Sequence, residues 1–263
     1  MRSRGNRFAS RLLIFLLLPG IAACGGPYTG RRVPDPERKI EIADAFFAAG
    51  KYREAGVEYK DFLATFAGHE RVDYAQYRLA ESYRMDGDYP LAAVEYRILI
   101  NDYGYSEYVD DAFLLEAVCA FAQAPRVERD QTKTFEARSR VARFLQLFPD
   151  SPRRAEGDSL LAVINDRLAE KDYRAADLYI SLDVPRAAEI YLDKIVENYA
   201  GTEWAALSWY RKGLIHEERG ERAEAVRAYG RSLATGAEFE GKGDAAARLR
   251  ALSEERPGEG GDG

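Results

Sequence analysis

The side chains best suited to catalysis are few and scattered in this chain of 263 residues. Its two histidines, His69 and His216, lie far apart in sequence, and neither has the spacing of a metal ligand. Its two cysteines, Cys24 and Cys119, are too few for a disulfide framework or a zinc site. The acids are numerous but spread along helical stretches, so no catalytic pair of carboxylates can be chosen. The sequence predicts a protein that is not an enzyme and that uses no metal or dissociable cofactor.

Cys24 has a setting that indicates covalent modification. Four arginines and no acid precede the apolar run from Leu12 to Leu18. Ile21-Ala22-Ala23-Cys24 then follows a Pro-Gly break. The run is shorter than the roughly 20 residues that span a bilayer, and it is typical of a secretory signal. The four residues ending in Cys24 resemble a bacterial lipobox, whose cysteine becomes the acylated first residue of the mature protein.

The lipobox resemblance implies a location. It divides the N-terminus into a signal peptide over residues 1–23 and a lipidated cysteine with a tether over residues 24–36. No aspartate follows the cysteine, which resembles the pattern of lipoproteins exported to the outer membrane. Several acyl chains would anchor the protein stably at the periplasmic face of that membrane.

The charge of the chain argues against nucleic acid as a partner. The net charge is −6, and four of the arginines would be removed with the signal peptide. The mature protein would therefore be more acidic still, which is the wrong sign for unspecific binding to phosphates.

A small cassette recurs along the rest of the chain. An alanine is followed four positions later by an aromatic or aliphatic residue, and then by a Gly, Pro or Ala turn. The cassette alanines are Ala55, Ala92, Ala137, Ala188 and Ala225, which lie 37, 45, 51 and 37 residues apart. Repetition near a period of about 34 residues is typical of tetratricopeptide repeats. The sequence predicts an all-α fold, a right-handed α-solenoid of five tetratricopeptide-like helical hairpins.

The cassette spacing also predicts how the repeats are organised. Repeats 1–3 would occupy residues 37–150, repeats 4–5 residues 151–237, and a polar flexible tail residues 238–263. The spacing of 45 residues before Ala137 predicts an insert from Pro125 to Lys133 between the two helices of the third unit, and the spacing of 51 residues before Ala188 predicts an extended helix.

In tetratricopeptide repeats the first helix of each unit lines a concave groove, which identifies candidate ligand contacts. The candidates in repeats 1–3 are Phe47, Tyr74, Tyr77, Glu81, Arg84, Leu114, Val118 and Phe121. This mixture of apolar side chains with a few charges suits an extended peptide. For any single member, packing against a neighbouring helix is the alternative. Arg84 could meet a carboxylate such as a chain terminus, or it could pair with Glu81.

The order of these features resembles the BamD family of outer-membrane assembly lipoproteins. Besides the lipobox and the repeats, the resemblance rests on Arg129-Asp130-Gln131-Thr132 in the insert, on the run from Arg167 to Lys171, and on PRAAEIY from Pro185 to Tyr191. It covers about residues 20 to 237, which is nearly all of the chain.

The resemblance implies a function and partners. The N-terminal repeats would receive the C-terminal targeting strand of unfolded outer-membrane proteins, and the C-terminal repeats would dock on a periplasmic POTRA domain of the barrel subunit, BamA. The docking candidates are Tyr179, Trp204 and Arg211, whereas Trp209 is assigned to the core. Other assembly lipoproteins are further candidate partners. The rival hypothesis is a scaffold lipoprotein for pilus, polysaccharide or division-site assembly, because one fold serves many functions.

Overall fold

The computed structural model describes residues 35–254, so the predicted signal peptide, Cys24 and most of the tether lie outside it. The described residues form eleven α-helices and no strand. The helices are α1 (Pro36–Ala48), α2 (Tyr52–Thr65), α3 (Val72–Met85), α4 (Tyr89–Asp102), α5 (Val109–Ala122), α6 (Thr132–Leu147), α7 (Arg154–Ser181), α8 (Pro185–Asn198), α9 (Glu203–Glu218), α10 (Arg222–Ala234) and α11 (Lys242–Glu254). Each helix packs against the helix before it and the helix after it. The prediction of an all-α solenoid of tetratricopeptide-like hairpins is confirmed.

The recurring cassette forms the contact between the two helices of each hairpin. All five cassette alanines are fully buried, as are the residues four positions later: Tyr59, Tyr96, Val141, Leu192 and Tyr229. Where that residue is a tyrosine, its hydroxyl donates a hydrogen bond to a carboxylate on the preceding helix, namely Asp44, Glu81 or Glu217. These bonds matter because a buried hydroxyl without a partner costs about 1–3 kcal/mol.

Glycines end the first helix of three hairpins. Gly50, Gly87 and Gly220 all have positive φ, between 72° and 84°, a conformation that costs glycine little. The equivalent turn of the fourth hairpin uses Asp183, with φ of 57°. These turns therefore end the first helices without backbone strain at the glycines.

The insert of the third hairpin is held in place by its own side chains. Gln131, which is only 2% exposed, donates from its amide to the carbonyls of Arg126 and Arg129 and accepts from the Thr134 hydroxyl. Lys171 of α7 donates to the Arg129 carbonyl at 2.9 Å. The insert therefore packs against the extended helix α7, which has 28 residues.

The prediction of a flexible tail over residues 238–263 is wrong for residues 242–254, which form α11. Ala245 is buried beside Tyr229, and Leu249 and Leu252 pack in the same cluster. Asp244 accepts a hydrogen bond from the Tyr210 hydroxyl at 2.9 Å. The spacing of these apolar residues by three or four is a helical stripe, and it lies outside the cassette pattern.

Candidate functional site

Three tyrosines from two neighbouring repeats form one surface, which we call the tyrosine face: Tyr74 and Tyr77 on α3, and Tyr108 at the N-cap of α5. Residues three apart on a helix point to the same side. The rings of Tyr77 and Tyr108 stack with their centroids 4.8 Å apart and their planes 14° apart, and the Tyr74 ring lies 6.0 Å from Tyr108. All three side chains are half-buried. The face therefore offers aromatic area that is held rigid across a repeat boundary.

Asp44 of α1 fixes the edge of this face. It accepts hydrogen bonds from the hydroxyls of Tyr74, at 2.7 Å, and of Tyr59. Burial first, and then the hydrogen bond to Asp44, raise the pKa of Tyr74 to about 12. The Tyr74 hydroxyl therefore stays protonated and continues to donate at neutral pH.

Phe47 is the candidate contributed by the first repeat. The guanidinium of Arg78 lies over its ring, 3.6 Å from the centroid, and Tyr52 contacts the same ring edge-on at 5.1 Å. Arg78 also donates to the Tyr59 hydroxyl at 3.4 Å. A cation over an aromatic face is attracted to it, so Phe47 is half-buried beneath a charge rather than freely exposed.

Glu81 and Arg84 form an internal pair. Both oxygens of Glu81 accept from Arg84, at 2.8 and 3.0 Å, and Glu81 also accepts from the buried Tyr96 hydroxyl. Burial alone would raise the pKa of Glu81, but the hydrogen bonds from Arg84 and Tyr96 outweigh it and hold the pKa below its ordinary value. Glu81 is buried, so its prediction as a groove contact is wrong. Arg84 follows the alternative expected from the sequence, in which it pairs with Glu81.

A second charged group borders the tyrosine face. Asp111 of α5 lies 3.3 Å from the guanidinium of Arg153, and the Tyr77 hydroxyl donates to the same carboxylate at 3.5 Å. Burial raises the pKa of Asp111 against the opposing charge of Arg153. Tyr77 is thus anchored through its hydroxyl while its ring stacks on Tyr108.

The candidates of the third repeat have different surroundings. Phe121 is half-buried, with the Arg167 guanidinium 4.6 Å from its ring centroid. Val118 is half-buried against the core of the second repeat. Leu114 is 0% exposed and packs with Phe113 and Phe144, so its prediction as a groove contact is wrong. The reason is that α5 packs against α4, α6 and α7 at once, which leaves it little free surface.

The three docking candidates lie in the fourth and fifth repeats. Trp204 packs on Tyr173, with ring centroids 5.2 Å apart, and Arg211 donates to the Tyr173 hydroxyl at 2.9 Å. Tyr179 stacks on Tyr191 at 5.7 Å. The structure therefore gathers Trp204 and Arg211 around one tyrosine and places Tyr179 further along the same helix, α7.

Trp209, assigned to the core from the sequence, is instead partly exposed. Lys212 and Arg231 lie over its ring at 5.0 and 4.6 Å from the centroid. The prediction failed because the orientation of this ring is set by how α9 crosses α10, which is a tertiary property.

Sequence reasoning missed three residues of the site: Tyr108, Arg78 and Arg153. Arg78 follows Tyr77 directly, and only its reach to Phe47 and Tyr59 reveals its role. Tyr108 and Arg153 lie just before helices that begin at Val109 and Arg154. A useful signal was the position of Tyr108 three residues before Asp111, which places Tyr108 at the N-cap and Asp111 on the first turn of α5.

Within residues 35–254, none of the helices is both long enough and apolar enough to cross a membrane.

Rigid rings and paired charges on the first helices can recognise a ligand through stacking, hydrogen bonds and apolar contact. The stacked hairpins define a tetratricopeptide-like solenoid, and the tyrosine face is its candidate recognition surface.

The chain belongs to the YfiO family, described as outer membrane lipoproteins, whose pattern matches residues 47–230. It is 23% identical over 161 residues to the outer membrane protein assembly factor BamD of Rickettsia prowazekii, in an alignment that covers 61% of this chain and 64% of that protein. It is 23% identical over 213 residues to the BamD of Caulobacter vibrioides, covering 78% of this chain and 69% of that protein.

Solved structures of tetratricopeptide proteins are similar at low sequence identity. A repeat protein from Bacteroides fragilis has a TM-score of 0.49 and 11% identity, covering 83% of this chain and 98% of that one. The TPR2AB domain of yeast Sti1, in its pHSP90 complex, has a TM-score of 0.43 and 10% identity, covering 83% of both chains. The fold assignment rests on the order and packing of the helices described above.

Proposed function

We propose that this protein is a non-catalytic adaptor lipoprotein of the complex that assembles β-barrel proteins in the outer membrane. Membership of the YfiO family and similarity to two BamD proteins support this role. The observation that carries the mechanistic part of the proposal is the tyrosine face, because it is an ordered aromatic surface with no catalytic arrangement among its residues.

The ligand of the tyrosine face would be the targeting peptide of an unfolded outer-membrane protein. Such a strand is amphipathic and ends in an aromatic residue, so one of its sides could lie on Tyr77 and Tyr108. Anchored tyrosines lose little conformational entropy on binding, since their rings and hydroxyls are already fixed. Arg84 would take no part in binding a chain terminus, because its donors are committed to Glu81.

The partner of the C-terminal repeats would be the POTRA region of a BamA-like barrel subunit. Trp204 and Arg211 adjoin each other at Tyr173, and tryptophan and arginine are enriched among residues that dominate binding energies. Exposed Leu178 on the same helix as Tyr179, and exposed Leu182 directly after the end of that helix, would add apolar area. A lipid on Cys24 would hold the adaptor at the periplasmic face of the outer membrane, where unfolded substrates arrive.

Affinity purification tests this role. The tagged full chain is recovered from detergent-solubilised envelopes, and co-purifying proteins are identified by mass spectrometry. We expect a POTRA-bearing barrel subunit in near-stoichiometric amount, and its loss when Cys24→Ala prevents anchoring at the membrane. Recovery of pilus, polysaccharide or division proteins without any such barrel subunit would overturn the proposal and favour the scaffold alternative.

A further inference from the structure

Three arginines converge on one pocket, away from both surfaces described above. The pocket lies among α4, α5 and α6 and has a volume of about 240 Å³. We call it the arginine pocket, and its lining consists of Arg97, Ile100, Asn101, Phe113, Glu116, Arg140 and Arg143. Three guanidinium groups thus share the pocket with a single carboxylate.

Glu116 positions two of these arginines. It is only 7% exposed, and its Oε1 accepts from Nε and Nη2 of Arg97 at 3.0 and 2.9 Å. The Nε of Arg140 lies 3.4 Å from the same oxygen, and a second contact of Arg140, with Glu136, is longer at 3.8 Å. One buried carboxylate therefore holds two guanidinium groups side by side, and Glu136 is a more distant second counter-charge.

Arg143 adds a third positive charge. Its guanidinium lies 5.1 Å from the centroid of the buried Phe113 ring, to which a cation in that position is attracted. Within residues 35–254, no carboxylate lies within ion-pair distance of Arg143. At other contacts between neighbouring helices, one positive side chain pairs with one carboxylate, as in Lys194 with Asp172 and Lys212 with Asp193. The arginine pocket is therefore a local excess of positive charge in a chain whose net charge is −6.

We propose that the arginine pocket binds a phosphate group, either as free phosphate or in the headgroup of an anionic lipid. Guanidinium groups match phosphate oxygens with paired N–H donors, and three of them surround the pocket. The Asn101 amide supplies a further donor, and Ile100 and Phe113 provide an apolar floor for a short carbon chain beside the phosphate. The site makes no use of the tyrosine face or of the docking residues.

Phosphorus NMR and calorimetry test this site on the full chain in non-ionic detergent. The probes are inorganic phosphate, glycerol 1-phosphate, and phosphatidylglycerol added to the micelles, all at constant ionic strength. We expect saturable binding that Arg143→Gln weakens at least fivefold. Arg143→Lys, which keeps the charge but loses the planar fork, should give an intermediate affinity. The control Arg53→Gln also removes one positive charge, from a side chain on α2 that is 81% exposed and does not line the arginine pocket. The affinity of this control for phosphate should stay within twofold of the wild type.

The outcomes separate the two sources of phosphate. Binding of the soluble probes with no preference for phosphatidylglycerol over phosphatidylcholine would assign free phosphate, whereas a phosphatidylglycerol preference that Arg143→Gln abolishes would assign a lipid headgroup. Equal binding by the wild type and by a folded Arg143→Gln variant, or no binding of any probe, would overturn the proposal. Tyr108→Ala should bind phosphate normally, so this test is independent of peptide recognition.

Discussion

The N-terminal and C-terminal repeats share the same cassette, but their first helices expose different chemistry. In the N-terminal repeats, aromatic rings stack across the boundary between α3 and α5, and carboxylates hold their hydroxyls at the surface. In the C-terminal repeats, Tyr173 is buried in the largest core cluster and the partly buried Trp204 packs against it, while aliphatic side chains such as Leu178 and Leu182 are exposed. The cassette therefore determines the fold, whereas the residues between cassettes determine what each surface can recognise.

The largest effect should come from removing a cassette tyrosine. Tyr96→Ala empties a fully buried position and also removes the hydroxyl that donates to Glu81. We expect the free energy of unfolding to fall by about 3–5 kcal/mol, as for other large aromatic residues in cores. Urea denaturation measures the change. The control is Tyr105→Ala, a tyrosine that is 80% exposed and should change stability by less than about 0.5 kcal/mol. Equal effects of the two variants would contradict the assigned role of the cassette.

A smaller loss of stability should follow when the buried acid of the N-terminal repeats is made neutral. Glu81→Gln replaces a carboxylate that accepts from Arg84 and Tyr96, and we expect it to cost about 2 kcal/mol at pH 7. The folded pKa of Glu81 is lowered from its ordinary 4.5, so its stabilisation is present above that pH and lost as the pH falls through the folded value. The difference between wild type and variant should therefore shrink below about pH 4.5. A difference that stays constant down to pH 3 would show that Glu81 does not act through its charge.

The proposed separation of peptide binding in the N-terminal repeats from barrel-subunit docking in the C-terminal repeats can be tested with one variant in each region. Arg211→Gln removes the donor to Tyr173, and we expect it to reduce co-purification of the barrel subunit about tenfold, the loss of roughly 1.4 kcal/mol, while peptide binding stays unchanged. Tyr108→Ala should have the converse effects. If either variant impairs both functions while its thermal unfolding is normal, the two regions are not separate sites.

The smallest loss of stability should come from a change in α11, the C-terminal helix of the described solenoid. Asp244→Asn breaks the contact of α11 with Tyr210 and the i,i+4 pair with Arg248 inside α11, and both contacts are largely solvent-exposed. Exposed pairs contribute little, so we expect a loss of about 0.5 kcal/mol. Amide hydrogen exchange should show faster opening of α11 and unchanged protection of α1 to α8. Uniformly faster exchange would mean that α11 stabilises the whole solenoid.

The parts of the structure that the sequence predicted are those set by local spacing. Buried Ala55 and Tyr59 and the insert after α5 follow from intervals along the chain. The surfaces were harder to predict because they depend on which helix a side chain meets. Leu114 is buried since α5 has three neighbouring helices, and Tyr108 joins the site through stacking across a repeat boundary.

Peptide recognition by the tyrosine face is the central claim, and a titration tests it most directly. A fluorescent amphipathic peptide that ends in phenylalanine is titrated with the full chain, and with the variants Tyr108→Ala, Tyr77→Leu and Tyr105→Ala, each checked for a normal helical spectrum. We expect the first two variants to bind at least fivefold more weakly, a loss of about 1 kcal/mol that is typical of an aromatic contact. Tyr105→Ala should bind like the wild type. Unchanged affinity in the Tyr108 and Tyr77 variants, or an equal loss in the Tyr105 control, would contradict the claim.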